Sequence, residues 1–199
     1  MGFQFLVETY RTERLKTLTV WSQFGDRDFE FRPTALSRSV REQMVHQCLS
    51  EQGWFTKMLG LPIAWPELPA PETRLSLIEH YAEASERRLS QLEQQTVDWF
   101  DHATTFFTVP RSKAWVLVRR IVHSAHHRGQ LTGYLRLLDQ ALYSTYGPTA
   151  DTGGLPASGA GVIYRYPSVE ALLIAEREGG ERPELPGPGD RPPTERPRQ

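Results

Sequence analysis

This chain of 199 residues contains a single cysteine, Cys48. One cysteine cannot form an intrachain disulfide, so a reducing cytoplasm is the expected compartment. Long apolar runs are also missing: no segment could span a membrane as a helix, and residues 1–8 lack the basic flank and apolar centre of a secretion signal. We therefore expect a cytoplasmic protein with no membrane partner.

Neither sign of charge is in excess. There are 23 Lys and Arg residues against 24 Asp and Glu residues, which gives a net charge of −1. A general nucleic-acid binder normally carries a basic excess, so we expect no nucleic-acid partner. Hydrophobic residues make up 39% of the chain and aromatic residues 11%, which is enough for the core of one domain of ordinary size.

The C-terminal part differs in composition from the rest. Residues 179–199 contain repeated prolines, alternating charges and almost no core-forming side chains, a composition typical of disorder. Residues 147–178 carry many apolar groups, so we predict that this extension packs back on the preceding domain, with a docked helix over residues 168–175 capped by Ser168. The expected organisation is a bundle over residues 1–146, the packed extension, and a disordered tail.

Residues 1–146 contain four segments with the 3.6-residue periodicity of amphipathic helices. The predicted helices cover residues 3–24, from Ser37 or Ser39 to residue 59, 72–95 and 112–143. Between the last two, the β-branched and aromatic residues 104–109 indicate a short extended segment. Four helices joined by short or moderate connections predict an all-α four-helix bundle, followed by an irregular C-terminal extension.

The fourth predicted helix contains three histidines within five residues, His123, His126 and His127. His123 and His127 are only about 40° apart around a helix, and side chains at this spacing can share one metal ion. His123 and His126 are a second candidate pair. The alternative is that these are ordinary core or surface histidines, although a buried imidazole pair without metal would need hydrogen-bond partners for its nitrogens.

The position of a third ligand is not fixed by spacing. His46 lies in the second predicted helix, but off the centre of its apolar stripe, so periodicity alone places this side chain toward solvent. His80 flanks the buried stripe of the third predicted helix, and His102 lies in a connector. Taken from the residues alone, the metal site is therefore a pair of histidines without a defined third partner.

Two sequence patterns resemble those of the DinB/YfiT-like superfamily of metal-binding four-helix bundles. One is a histidine midway along the second helix, in Met44-Val45-His46-Gln47-Cys48, and the other is H-x-x-x-H-R-G-Q in the fourth helix, from His123 to Gln130. The resemblance extends over residues 1–146. It implies that His46, His123 and His127 hold one divalent metal ion, usually zinc or nickel. Because the fourth predicted helix is apolar on more sides than one bundle can bury and the first is strongly amphipathic, we also predict a homodimer built from helix faces, as such relatives often form.

Three histidine ligands leave a coordination position open, as in catalytic rather than structural zinc sites. An open position can acidify a bound water or accept a thiolate. For some relatives the resemblance implies thiol transfer or isomerisation with low-molecular-weight thiols such as bacillithiol or mycothiol, and for others hydrolysis of a small molecule. Two alternatives stay open: a non-enzymatic, stress-responsive metal-binding dimer, and a bundle without metal. The sequence identifies no catalytic residue.

Several residues near the histidines have two readings. Arg119, Arg120 and Arg128 could bind an anionic substrate or could form a solvated basic face, which we favour for Arg119. Cys48 points about 200° away from the histidine two positions before it, which favours a buried, inert thiol. Glu51 is a weak candidate for an acid–base group, because many surface glutamates have the same sequence context.

Overall fold

The computed structural model describes residues 2–140, 142–143, 149, 151 and 165–179. Its elements, in chain order, are α1 (Gln4–Trp21), a 3₁₀ turn (Asp26–Asp28), α2 (Val40–Gly53), a π-helical turn (Trp54–Met58), α3 (Arg74–Glu93), α4 (Val97–Asp101), β1 (Ala103–Phe106), β2 (Val109–Ser112), α5 (Lys113–Leu137) and α6 (Val169–Glu178). The four predicted helices correspond to α1, α2, α3 and α5, so the all-α bundle is confirmed. No helix in the described ranges is long and apolar enough to cross a membrane.

Side-chain caps fix where α2 and α3 begin. The Ser39 hydroxyl accepts a hydrogen bond from the Glu42 backbone N–H at 3.2 Å, and the Glu42 carboxylate accepts one from the Ser39 N–H at 2.7 Å. Thr73 accepts from the Ser76 N–H at 3.1 Å in the same way. Each cap satisfies backbone donors that the first turn of a helix leaves unpaired.

The bundle is a closed ring of contacts in which α1 packs on α3 and α5, and α2 packs on the same two helices. Its apolar core has two layers, one around Trp21, Met44 and Leu131 and one around Phe55 and Leu117. Between these layers along the helices lie buried charged side chains, of which the main ones are Glu51, Arg88 and Arg120. The core is therefore interrupted at mid-height by a polar layer.

Two local departures from a plain bundle lie beside this polar layer. The second predicted helix stops being α-helical at Gly53 and continues as a π-helical turn, in which the Leu59 N–H donates to the Trp54 carbonyl at 3.0 Å. The predicted extended segment is an antiparallel hairpin of β1 and β2, in which Ala103 pairs with Ser112. The Thr104 hydroxyl donates to the Met58 carbonyl and ties the hairpin to the π-helical turn.

The fourth predicted helix is shorter than expected, because α5 ends at Leu137 and not at residue 143. Asp139 adopts the left-handed conformation with φ 53°. Its N–H donates to the Arg136 carbonyl at 3.1 Å, and the Gln140 N–H donates to the Leu135 carbonyl at 3.0 Å. These two bonds close the helix end in the Schellman pattern, which usually carries glycine at the left-handed position. Aspartate at that position hid the stop signal from the sequence.

Helix α6 lies against α1 and α3. The Ser168 hydroxyl caps it by accepting from the Ala171 N–H at 3.1 Å, and Leu172 is fully buried in the same apolar layer as Trp21. Glu176 forms ion pairs with Arg74 and, at 3.1 Å, with Arg165. Residues 147–148, 150, 152–164 and 180–199 of the predicted extension and tail lie outside the described residues, so the division into three parts stays a prediction.

Candidate metal centre

Three histidines converge at the seam between α2 and α5. His46 comes from α2, and His123 and His127 come from one face of α5; the nitrogens that could act as ligands all lie within 4.8 Å of one another. The ring centroids of His46 and His127 are 4.7 Å apart, and those of His123 and His127 are 4.5 Å apart. The i, i+4 spacing on α5 therefore produces the expected pair, and α2 supplies a third imidazole.

Helical periodicity alone predicted that His46 points into solvent, and this prediction is wrong. It is half-buried on an edge of α2 that it shares with Gln43 and Ser50, at spacings that fall on one side of a helix. This edge meets α5 through polar contacts: Gln43 bonds to the His127 ring at 2.9 Å, and Ser50 accepts from Arg120 at 3.0 Å. The periodicity argument failed because a polar edge of α2 is itself a helix–helix contact.

The described partners of the histidine rings leave room for a metal ion. His127 Nδ1 lies 2.9 Å from the side-chain oxygens of both Gln43 and Gln130. Nε2 of His127 and Nδ1 of His123 are buried and have no hydrogen-bond partner among the described residues. Buried polar nitrogens normally have partners, and a divalent metal would provide one. Imidazole donors suit zinc and nickel, so the residues present fit the metal that the resemblance implies.

The electrostatic environment keeps all three imidazoles neutral at pH 7. Burial, the Arg120 charge and the neighbouring imidazoles together lower the pKa of His123 to about 3, and burial together with the neighbouring imidazoles lowers the pKa of His127 to about 4. Burial, followed by Arg38 and Arg120, also lowers the pKa of His46. Metal ligation requires neutral imidazoles, so the lone pairs are available without the loss of protons from these rings.

Arg120 and Arg128 are internal links between helices and not members of a solvated basic face. Arg120 is 0% exposed, donates to Ser124 at 2.9 Å, and lies 5.5 Å from the centre of the Trp54 ring. That ring is in turn 5.7 Å from His123. Arg128 forms a buried ion pair with Glu13 of α1. The Arg119 side chain is exposed, as we expected.

The remaining candidates lie outside the converging group. His126 is exposed, although its ring centroid is 5.3 Å from that of His127. His80 lies on α3, and His102 follows the last residue of α4. Burial raises the pKa of the Cys48 thiol to about 12, which agrees with an inert cysteine.

Sequence reasoning missed two glutamines that contact the candidate site. Gln43 is three residues before His46, and Gln130 is three residues after His127. The signal for Gln130 was present, because it is the last letter of the H-x-x-x-H-R-G-Q pattern. Gln43 carried no recognisable signal, because its contact with His127 joins two helices that are far apart in sequence.

The fold and the histidine group together define a four-helix bundle with a three-histidine candidate metal site at one of its seams. The sequence profile of the DinB family matches residues 3–153. The chain therefore belongs to the DinB family. No curated protein matches it.

Two solved structures have a similar fold. A DinB-like protein from Bacillus cereus shares 17% sequence identity with a TM-score of 0.61, and the match covers 68% of this chain and 91% of that one. A DinB-like protein from Bacillus subtilis shares 18% identity with a TM-score of 0.54, over 67% of this chain and 92% of that one. At these identities the likeness supports the fold of the bundle alone.

Proposed function

We propose that this protein holds one divalent metal ion, zinc or nickel, through His46, His123 and His127, and that it is a cytoplasmic enzyme acting on a small molecule by thiol transfer. The observation that carries the proposal is the convergence of three neutral imidazoles, two of whose buried nitrogens have no hydrogen-bond partner among the described residues. Membership of the DinB family supports it. Hydrolysis is the second candidate reaction, because an open coordination position can hold water.

The composition of the site favours thiol transfer over hydrolysis. A general base near the attacking water would assist hydrolysis, and the converging group offers only the three candidate ligands among the described residues. Glu51 is buried and is already engaged by the Tyr10 hydroxyl at 2.8 Å and by Arg88 at 3.5 Å. A low-molecular-weight thiol, by contrast, becomes a nucleophile simply by losing its proton on binding a metal.

A surface beside the histidines suits the organic part of such a substrate. Trp54 contacts Phe106 with ring centroids 5.1 Å apart, and Phe106 contacts Trp115 at the same distance. The guanidinium of Arg111 lies 5.0 Å from the centre of the Trp115 ring. Apolar walls with a few polar groups are typical of small-molecule sites, and the arginine favours a ligand with an anionic group.

The test is metal analysis of protein purified without an affinity tag, followed by thiol-transfer and ester-hydrolysis assays on the metal-loaded form. We expect one metal ion per chain, with metal–nitrogen distances of about 2.0–2.1 Å by X-ray absorption if the ion is zinc. His127→Ala should abolish stoichiometric binding, and His126→Ala is the matched control. Full occupancy in His127→Ala would contradict the ligand set, and metal binding without turnover would favour the non-enzymatic alternative.

A further inference from the structure

We propose that Gln43 and Gln130 are positioning residues that set the tautomer of His127 and thereby make its Nε2 available to a metal ion. The ligand role of His127 rests on the proposed function. The tautomer itself does not, because it follows from hydrogen bonds within the protein. The two glutamines come from different helices, α2 and α5, and meet at one ring nitrogen.

The geometry at this nitrogen determines where the hydrogen lies. The side-chain oxygens of both Gln43 and Gln130 are 2.9 Å from His127 Nδ1. An amide oxygen can only accept a hydrogen bond, so Nδ1 must carry the hydrogen and share it between the two oxygens. In a neutral imidazole the lone pair is then on Nε2. That atom is buried and has no hydrogen-bond partner among the described residues.

A third bond fixes the orientation of the two amides relative to each other. The Gln43 side-chain nitrogen donates to the Gln130 side-chain oxygen at 3.1 Å. If the Gln43 amide alone were reversed, its oxygen would face the Gln130 oxygen, which would place two acceptors against each other. If both amides were reversed, two N–H groups would compete for the single lone pair of Nδ1, so the arrangement with one hydrogen shared between two oxygens is favoured. The arrangement holds His127 as a metal ligand in one tautomer, and the opposite tautomer would place a hydrogen on the nitrogen that the metal needs.

The acceptors are neutral amides and not the carboxylates that often hold metal-bound histidines. Amide acceptors fix the ring without adding negative charge. The positive charge that the metal would bring is therefore not reduced by its neighbours, and this favours an anionic ligand such as a thiolate at the open position. The amide pair thus agrees with thiol chemistry as the proposed reaction.

The tautomer can be read directly by ¹⁵N NMR of histidine-labelled, metal-free protein, and the affinity by competitive zinc titration. We expect the Nδ1–H form of His127 in the wild type. The double variant Gln43→Leu/Gln130→Leu should lose the preference for this form and bind zinc about 10–100-fold more weakly. Gln130→Glu keeps an acceptor and should retain both the tautomer and the affinity. Gln47→Leu is the matched control, because Gln47 is also buried on α2 but donates to a backbone carbonyl at 3.3 Å.

If the double variant does not fold, the wild-type spectrum alone shows which tautomer His127 adopts and so tests the proposal. An Nε2–H tautomer of His127 in the metal-free wild type would overturn the proposal. So would a folded double variant with the wild-type tautomer and zinc affinity. If the wild type binds no zinc yet shows the Nδ1–H form, the metal function fails while the positioning of the ring by the two glutamines stands.

Discussion

Replacing Leu172 by Ala tests whether the C-terminal extension is part of the fold. Leu172 is 0% exposed and packs in the apolar layer of the bundle that contains Leu18, Trp21 and Ile78. A buried Leu→Ala change costs about 2–5 kcal/mol of the free energy of unfolding, depending on how far the surroundings collapse into the cavity. Helix α6 lies at the outside of the bundle and can settle inward, so we expect about 2–3 kcal/mol.

This loss is large enough to measure by thermal unfolding. For a chain of this size, 1 kcal/mol shifts the melting temperature by about 2–4 °C, so Leu172→Ala should lower it by roughly 4–12 °C. Ile174→Ala is the matched control, because Ile174 lies two residues further along the same helix and is 47% exposed. The control should change the free energy of unfolding by no more than about 0.5 kcal/mol.

Two truncations extend the same test to the predicted division of the chain. Ending the chain after Glu178 should leave the melting temperature and the metal content unchanged, because it removes only the predicted disordered tail. Ending it after Tyr146 should lower the melting temperature, because α6 then no longer covers apolar surface of α1 and α3. If Leu172→Ala matches Ile174→Ala, and the two truncations melt alike, the reasoning that places the extension in the fold is refuted.

Three further predictions concern pH, assembly and a helix end. The pKa is about 3 for His123 and about 4 for His127 in the folded protein, but about 6.5 in an unfolded chain. As the pH falls, the unfolded state therefore takes up protons at a higher pH than the folded state does. The free energy of unfolding of the metal-free protein should be highest above about pH 6.5 and should fall as the pH drops toward the pKa values of the folded state. Equal midpoints of urea unfolding at pH 7.5 and pH 5 would contradict this. Val118 and Val122 are 41% and 48% exposed on α5, so we predict a homodimer through this face, with Val122→Glu monomeric by sedimentation; a wild-type monomer at micromolar concentration would count against it. Asp139→Gly should raise the free energy of unfolding by about 0.5–1 kcal/mol, because glycine tolerates a positive φ, and a lower melting temperature would show the opposite.

The sequence predicted the elements whose signals are local. The apolar periodicity and a serine cap at Ser37 or Ser39 placed the long helices, and the i, i+4 spacing placed His123 and His127 on one face. The orientation of His46 could not be read this way, because it depends on which neighbour α2 meets along its polar edge. Only the family resemblance, which carries information about tertiary structure, assigned His46 to the same site.

The errors have the same physical origin. The end of α5 was placed too late because Asp139 takes the left-handed conformation that glycine usually supplies. The π-helical turn at Trp54 was missed because an i+5 bond leaves no periodic trace over five residues. Gln43 was missed because its partner lies on another helix. Each of these features is decided by contacts or backbone states that a pattern of apolar residues does not encode.

The side chains of the H-R-G-Q pattern contact different parts of the protein. Within one turn of α5, His127 faces the histidine group and Arg128 turns toward α1, where it pairs with Glu13 and bonds to Thr17 at 3.1 Å. Gln130 returns to the ring of His127. A single helical turn thus serves a candidate ligand, a buried link to another helix, and a positioning group. Because Arg128 and His127 share this turn, the packing of α1 on α5 and the direction of the imidazole are fixed together. A substitution at Arg128 should therefore also weaken zinc binding by the histidine group, which the competitive zinc titration would measure.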